Sequence, residues 1–160
     1  MTRSAPAEAY LGFSWAYDEA LGRAFHRSLE PFLDSILDSV GLAGGTHLDL
    51  ACGTALSADY FRRRGFQETG VDASISMLEI ASQRSPSLVC GDIRAIPIRA
   101  RFDLVTAFYD SLNHVMDREG LDCVFTGVAR LLGPSGWFVF DVNHPDAFED
   151  IETTDVKGTS

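Results

Sequence analysis

The stretch HLDLACGTALS, His47 to Ser57, contains the pattern from which the rest of the chain is best understood. Its first four residues have the composition of a buried strand, and a turn of small residues, ACGTA, follows before a helical pattern begins. Asp49 places a carboxylate in the apolar strand, where a charge is costly unless a partner compensates it. The small residues let the backbone approach a ligand closely. The stretch therefore predicts a ligand at the strand end, with an amino group or another positive charge near Asp49.

Short apolar strands alternate with helices from Thr46 onward, after a helical N-terminal segment that ends at the glycines before this point. Ser74 is a candidate N-cap for the helix that follows the second strand. This alternation predicts an α/β fold, a doubly wound and mostly parallel Rossmann-like sheet with helices on both faces. The predicted strands are 46–52, 69–73, 87–92, 102–110 and 137–143, and the predicted helices are 56–64, 75–84 and a stripe over 121–132 that Gly133-Pro134 ends.

Each predicted strand carries an aspartate near its carboxyl end, where doubly wound sheets bind their ligands; these are Asp49, Asp72, Asp92, Asp110 and Asp141. Asp72 ends the second strand about 20 residues after the glycine turn, a position suited to accepting both hydroxyls of a ribose. That position serves any adenosine-bearing cofactor, including NAD. The first turn, however, has one glycine instead of G-x-G-x-x-G, and Asp49 would repel a pyrophosphate. The first turn therefore argues against a nicotinamide oxidoreductase.

The composition of the chain limits which partners it can bind and in which cellular compartment it is expected. Thirteen Lys and Arg against 23 Asp and Glu give a net charge of −10, which argues against DNA or RNA as a partner. Three cysteines lie far apart with no C-x-x-C, so no metal site is predicted. The N-terminus lacks a signal-peptide pattern, and no apolar run is long enough to cross a membrane. We expect a soluble, cytoplasmic protein that does not contact a membrane.

Five segments of the chain, in order, resemble the motifs of the class I S-adenosylmethionine-dependent methyltransferases. DLACGTA resembles the first motif, usually D/E-x-G-x-G-x-G, and GVDASISMLEIA resembles the second, with its ribose-binding acid. VCGDI, FDLVTAFYDSLNHV and LLGPSGWFVFDVN resemble the third, the fourth and the segment that leads into strand five. The similarity runs from about residue 46 to residue 148. The strings YDSLNH and FDVNHPDAFE are most similar to bacterial enzymes that methylate small molecules.

The resemblance implies S-adenosylmethionine as the cofactor, a small molecule as the methyl acceptor, and a set of binding residues. In the family, the first motif lines the methionine part, the second motif the ribose and adenine, and the third the adenine. The fourth motif faces the sulfonium and the acceptor, so that Tyr109 and His114 are the candidate catalytic residues. The cofactor-binding residues implied are Asp49, Ala51, Gly53, Asp72, Ala73, Met77, Asp92, Ile93, Tyr109 and Asp110.

Two departures from the family pattern accompany the resemblance. Alanine replaces the first and third motif glycines, at Ala51 and Ala55, and the second replacement is tolerable if its φ is negative. The family sheet has seven strands, whereas this sequence offers five, so we expect a fragment truncated after strand five. The alternative function is a non-catalytic cofactor-binding or partner-binding domain of a larger methyltransferase. Both faces of WFVFDVN carry large apolar residues, which predicts an interior strand and, without a second neighbour, a homodimer or edge-strand pairing.

The predicted organisation has three parts: a helical lid segment over residues 1–45, the cofactor-binding domain over 46–148, and a flexible tail over 149–160. Phe13, Trp15 and Tyr17 would belong to the lid or pack on the sheet. His26 is expected to be structural or on the surface, and His144 is a weaker candidate than His114 for a role near the acceptor.

Overall fold

The computed structural model describes the backbone of residues 23–142 and the side chains of residues 26–142. The sequence-based expectations for the aromatic residues 13–17, for His144 and for the tail lie outside these residues. The elements are helix α1 (Arg23–Ser39), strand β1 (Gly45–Leu50), α2 (Ala58–Arg63), β2 (Phe66–Asp72), α3 (Ile75–Ala81), β3 (Leu88–Cys90), β4 (Phe102–Ala107), α4 (Arg118–Leu131) and β5 (Leu132–Phe140), with 3-10 turns at Ile93–Ala95 and Ser111–His114.

The five strands form one sheet in the order β3-β2-β1-β4-β5, and every neighbouring pair is parallel. This arrangement confirms the predicted doubly wound sheet. The chain first winds outward from β1 through β2 to β3, and then returns to the other side of β1 with β4 and β5. The strand order therefore reverses between β1 and β4, and parallel α/β sheets place their ligands at the carboxyl ends of the strands at such a point.

Apolar packing covers both faces of the sheet. On one face α4 contributes Val124, Val128 and Leu131 to a core shared with Leu48 and other residues of the strands. On the other face α1 and α2 pack against the sheet through a second cluster of buried residues, which comprises Leu33, Leu37, Tyr60, Phe61, Phe66, Leu104 and Phe108. The expectation of helices on both faces is thus confirmed.

Several predicted boundaries are wrong for local reasons. Strand β4 ends at Ala107 and not at residue 110, because Tyr109 and Asp110 adopt left-handed φ angles of 60° and 66°. Strand β5 begins at Leu132 directly after α4, so Gly133-Pro134 lies within the strand. The pairing of β4 with β5 shifts register between Phe102 and Leu104, which accommodates these two residues. Helix α2 begins two residues later than predicted, because the first turn extends to Ser57.

Strand β5 lies at the edge of the described sheet, where β4 is its neighbour. Trp137 and Phe140 are 47% and 40% exposed. Phe138 and Phe140 form an aromatic cluster with Phe125 of α4, with ring centroids 4.9 to 5.8 Å apart. The prediction of an interior strand is therefore not met among residues 23–142, although the large apolar residues on both of its faces are present as expected.

Ion pairs attach α1 to the end of α2. Arg63 lies 3.0 Å from Glu30, and Arg64 lies 2.7 Å from Asp38. The basic cluster at the end of α2 thus pairs with acidic residues of α1. Of the helices in residues 23–142, none combines the length and the apolar composition needed to cross a bilayer.

Candidate functional site

The turn between β1 and α2 has an unusual backbone that opens space at the strand end. Ala51, Gly53 and Ala55 all have φ angles near +55°. The φ of Ala55 is positive, so the condition under which alanine is tolerable at this position is not fulfilled. Ala55 is also fully buried. A Cβ at Gly53 would meet no heavy atom within 4 Å, whereas a Cβ at Gly70 of β2 would lie 2.7 Å from Cys52 Sγ. The turn therefore packs tightly against β2 on one side and leaves open space on the other.

Asp49 lies beneath this turn and is buried, with 5% of its surface exposed. Ser57 Oγ donates a hydrogen bond of 2.7 Å to one carboxylate oxygen, and Thr106 Oγ1 donates one of 2.8 Å to the other. Burial raises the pKa of Asp49 to about 6, the two hydrogen bonds limit this rise, and the charge of Asp72 adds to it. Above that pH the site holds a buried carboxylate that a cation would stabilise further.

Asp72 at the end of β2 binds the same turn from the other side. Its Oδ2 accepts a hydrogen bond of 2.9 Å from the backbone N–H of Gly53, and its Oδ1 accepts one of 2.7 Å from Ser74 N–H. Ser74 also caps α3, as predicted, by accepting from Met77 N–H at 3.4 Å. The structure thus brings Asp49, Gly53 and Asp72 together at the ends of β1 and β2.

The end of β3 presents a different environment. Asp92 Oδ2 lies 2.5 Å from Nη2 of Arg94, and Arg94 Nε and backbone N–H also donate to this carboxylate. The hydrogen bonds from Arg94 lower the pKa of Asp92 below its ordinary value. Ile93 is half-buried and packs on the core beside α4. Asp92 already has a cationic partner in this conformation, which the sequence did not predict.

The end of β4 forms a second group of side chains. Asp141, just after β5, accepts hydrogen bonds from the backbone N–H groups of Tyr109 and Asp110 at 3.0 and 3.2 Å. The Tyr109 hydroxyl is hydrogen-bonded to His26 Nδ1 of α1. His26 is 5% exposed, and its burial lowers its pKa. The surface alternative expected for His26 is therefore wrong, whereas the structural alternative agrees with its burial and its contact with Tyr109.

The remaining predicted residues lie around these two groups. Ala73 is exposed and Met77 is half-buried, both near the start of α3. His114 is exposed in the 3-10 turn after β4. No group of three or more His, Cys, Asp or Glu within residues 23–142 is arranged to hold a metal ion. An open groove of about 840 Å³ lies near the amino ends of β4 and β5, lined by residues 96–101 with Arg130 and Leu131, far from the strand ends that carry these carboxylates.

Comparison with known proteins agrees with this geometry. The profile of the methyltransferase domain family matches residues 48–136 of the chain. This match covers more than half of the sequence, and it includes the first turn, Asp72 and the strand-four segment. The chain belongs to the class I S-adenosylmethionine-dependent methyltransferases.

Individual relatives of this methyltransferase domain support the assignment. YqeM of Bacillus subtilis, which is named as a methyltransferase, is 33% identical over 140 residues, or 84% of this chain and 55% of its own length. A cypemycin N-terminal methyltransferase of a Streptomyces species is 31% identical over 112 residues, or 68% of this chain and 46% of its own. The chain thus spans about half the length of these relatives.

Solved structures show the same fold. An S-adenosylmethionine-dependent methyltransferase from Clostridium acetobutylicum superposes with a TM-score of 0.72 at 30% identity, and the match covers 84% of this chain and 58% of that one. The glycopeptide N-methyltransferase MtfA, solved in complex with S-adenosylmethionine, gives a TM-score of 0.61 at 25% identity, covering 69% of this chain and 53% of that one.

Several residues that shape the methyltransferase site were not singled out from the sequence. Ser57 and Thr106 form hydrogen bonds with the predicted site residue Asp49, and His26 forms one with Tyr109. His47 contacts Thr106 and reaches Asp49 only through it. His47 and Ser57 belong to the quoted first stretch, so a polar residue two positions before Asp49 was an available signal. Thr106 and His26 lie 57 and 83 positions from their partners, and no local pattern indicates those contacts.

Proposed function

We propose that this methyltransferase domain binds S-adenosylmethionine at the carboxyl ends of β1 and β2 and transfers its methyl group to a small molecule. The observation that carries the proposal is the pair Asp49 and Asp72 on either side of the open turn at Gly53. The Asp49 carboxylate would attract the positively charged methionine part. Asp72, held by two backbone N–H groups, retains free lone pairs for the ribose hydroxyls.

We assign the adenine side of the site to the ends of β2 and β3. Ala73 and Met77 would flank the adenine, and Ile93 would lie against the ring. Asp92 would accept the adenine amino group, which requires it to share its carboxylate with Arg94 or to exchange that partner. Because Arg94 and Asp92 are both substantially exposed, the exchange costs little.

The bound cofactor supplies a methyl group that a positively charged sulfur already activates. The protein must therefore orient an acceptor atom in line with that bond and exclude water. We place Ala51 against the methionine part, and Tyr109 and Asp110 beside the acceptor. Tyr109 is held from both ends, by Asp141 at its N–H and by His26 at its hydroxyl, so its ring is well oriented for this role. We propose His114, which is exposed in the 3-10 turn after β4, as a second catalytic candidate.

We expect the methyl acceptor to be a neutral or cationic small molecule, because the chain carries a net charge of −10. We place the reaction in the cytoplasm, in keeping with three cysteines that are free thiols in the structure. The alternative function is a domain that binds the cofactor without turning it over by itself. The exposed Trp137 and Phe140 on β5 favour this alternative, since they present an apolar surface to a partner.

Calorimetric titration tests the proposal. We expect S-adenosylmethionine and S-adenosylhomocysteine to bind the chain and NAD not to bind. Methyl transfer from labelled S-adenosylmethionine to a panel of small amines and phenols then distinguishes an enzyme from a binding domain. Binding of NAD alone, or of none of the three ligands, would overturn the proposed function.

A further inference from the structure

A row of buried polar side chains continues behind Asp49 into the middle of the sheet. Thr106 Oγ1, which lies 2.8 Å from Asp49 Oδ1, is also 2.8 Å from His47 Nε2. His47 Nδ1 faces Glu68 on the neighbouring strand at 3.8 Å. His47 is fully buried, Thr106 is 1% exposed, and the Glu68 side chain is 5% exposed. Four polar residues from three adjacent strands thus follow one another across the sheet.

The hydroxyl of Thr106 fixes the direction of the hydrogen bonds in this row. A hydroxyl has one proton to donate, and the ionised carboxylate of Asp49 can only accept. Thr106 therefore donates to Asp49 and must accept from His47. This requires the proton of the neutral imidazole to be on Nε2, which leaves the Nδ1 lone pair facing Glu68.

The far end of the row is consistent with this direction. Within residues 26–142, His47 Nδ1 and both carboxyl oxygens of Glu68 are buried without a close hydrogen-bond partner, and the buried Ser85 hydroxyl also lies beside Glu68. Burial lowers the pKa of His47 to about 3 and raises the pKa of Glu68 to about 8, so both groups are neutral at pH 7. A protonated Glu68 carboxyl presents a donor and the His47 Nδ1 presents an acceptor. A small side-chain movement would close the 3.8 Å gap to a hydrogen bond.

We propose that Thr106 and His47 are positioning residues, which fix the Asp49 carboxylate for cofactor binding through a hydrogen-bond row with the His47 proton on Nε2. Ser57 holds the other Asp49 oxygen, so the carboxylate has one defined orientation and remains ionised although it is buried. The link to affinity rests on the proposed function, whereas the position of the His47 proton does not. Packing alone would require neither the hydroxyl of Thr106 nor one tautomer of His47.

Substitutions at Thr106 separate positioning from packing. Thr106→Val keeps the shape of the side chain and removes the hydroxyl, while Thr106→Ser keeps the hydroxyl and removes a buried methyl group. We expect Thr106→Val to weaken S-adenosylhomocysteine binding about tenfold, the loss of one hydrogen bond to a charged group, and Thr106→Ser to stay within about threefold of the wild type. If Thr106 only packs, the order reverses, because serine then leaves the larger defect. The proposal would be overturned if Thr106→Val bound S-adenosylhomocysteine as tightly as the wild type does, or more tightly than Thr106→Ser does.

Nuclear magnetic resonance of the chain labelled with ¹⁵N-histidine tests the row without a cofactor. The protonated and unprotonated nitrogens of a neutral imidazole resonate far apart, and His47→Gln identifies the signals of His47 among the four histidines. At pH 7.5 we expect a neutral ring with its proton on Nε2. A proton on Nδ1, or a charged ring, would overturn the proposal. If the wild type binds no cofactor, the proposed function fails, and this experiment still decides the hydrogen-bond row.

Discussion

Asp49 and Asp72 are the two carboxylates of the candidate site, and their surroundings differ. Asp49 is buried and accepts from hydroxyl groups, whereas Asp72 is half-buried and accepts from backbone N–H groups of the first turn and of α3. Asp72 therefore connects the two segments that would enclose the ribose. Removing its carboxylate should affect both the binding of the cofactor and the stability of the turn.

Asp72→Ala should weaken S-adenosylhomocysteine binding by about 1.5–3 kcal/mol, the range for hydrogen bonds to a charged group. It should also lower the free energy of unfolding by about 1 kcal/mol, because the N–H groups of Gly53 and Ser74 lose their acceptor. Calorimetry and urea denaturation measure the two effects. Asp122→Ala, at an exposed aspartate of α4, is the matched control and should change neither quantity. Wild-type affinity in Asp72→Ala would mean that the ribose binds elsewhere.

Ala55 combines full burial with a left-handed φ of 55°. A left-handed conformation costs a residue with a Cβ about 1–2 kcal/mol, and glycine avoids this cost. Ala55→Gly should therefore be better tolerated, by about 1–2 kcal/mol in the free energy of unfolding, than Ala81→Gly. Ala81 is equally buried but lies at the end of α3, where glycine brings no relief. Equal destabilisation of the two variants in urea would show that the turn carries no strain.

Glu68 makes the stability of the fold depend on pH. Its carboxyl ionises near its ordinary pKa of 4.5 in the unfolded chain and near 8 in the folded protein, because of burial and the nearby charge of Asp49. Between these values the folded state holds more protons, so the free energy of unfolding falls as the pH rises from about 4.5 to about 8. Asp49 acts in the same direction between about 3.8 and 6. His47, whose pKa falls from 6.5 to about 3, acts in the opposite direction between those values.

Glu68→Gln removes this dependence and keeps the side-chain shape. The variant should gain stability relative to the wild type as the pH rises through that window, by at most about 1.4 kcal/mol per pH unit. Urea denaturation at pH 5, 6.5 and 8 measures the difference. Glu79→Gln, at an exposed glutamate of α3, should give a curve parallel to the wild type. A parallel curve for Glu68→Gln would show that Glu68 is ionised in the folded protein.

The sequence predicted the helices and strands correctly wherever the spacing of apolar residues was strongly periodic. Alternating strands and helices, and the stripe of α4, predicted the element order and the sheet. The start of β5 was missed, because a Gly-Pro pair indicates a loop in sequence terms, and only the register shift against β4 accommodates it in a strand. The end of β4 was missed because left-handed Tyr109 and Asp110 depend on hydrogen bonds to Asp141, about thirty residues later.

The exposed side of β5 should promote self-association of the 160-residue chain. Trp137 and Phe140 are exposed, and within residues 23–142 β5 pairs with β4 alone, which leaves its other edge available to a second copy. Trp137→Lys should shift the chain toward the monomer, which light scattering over a concentration series measures. Met116→Lys, at a methionine that is 89% exposed in another part of the surface, is the control and should leave association unchanged. A monomeric wild-type chain at high concentration would contradict this prediction.

At the scale of the whole chain, the sequence could predict only those parts of the candidate site that lie close together in sequence. Asp49, Gly53 and Asp72 belong to two adjacent motifs, and the structure brings them together as expected. The binding and catalytic roles assigned to these three residues, and to all the other predicted site residues, stay predictions. The contacts of Thr106 and of His26 could not be predicted, because they depend on how strands and helices distant in sequence are packed, which no short pattern encodes.

The central position of β1 also has a consequence for the order in which the chain assembles. The contact between Gly53 and Asp72 closes a loop of 19 residues, whereas that between Asp49 and Thr106 closes one of 57. Because the entropy lost on loop closure grows with loop length, the ribose half should form early and the support of Asp49 late. In pulse-labelled hydrogen exchange during refolding, amides of β2 should be protected before those of β4. A nascent chain would accordingly possess half of the proposed cofactor site before β4 has been synthesised.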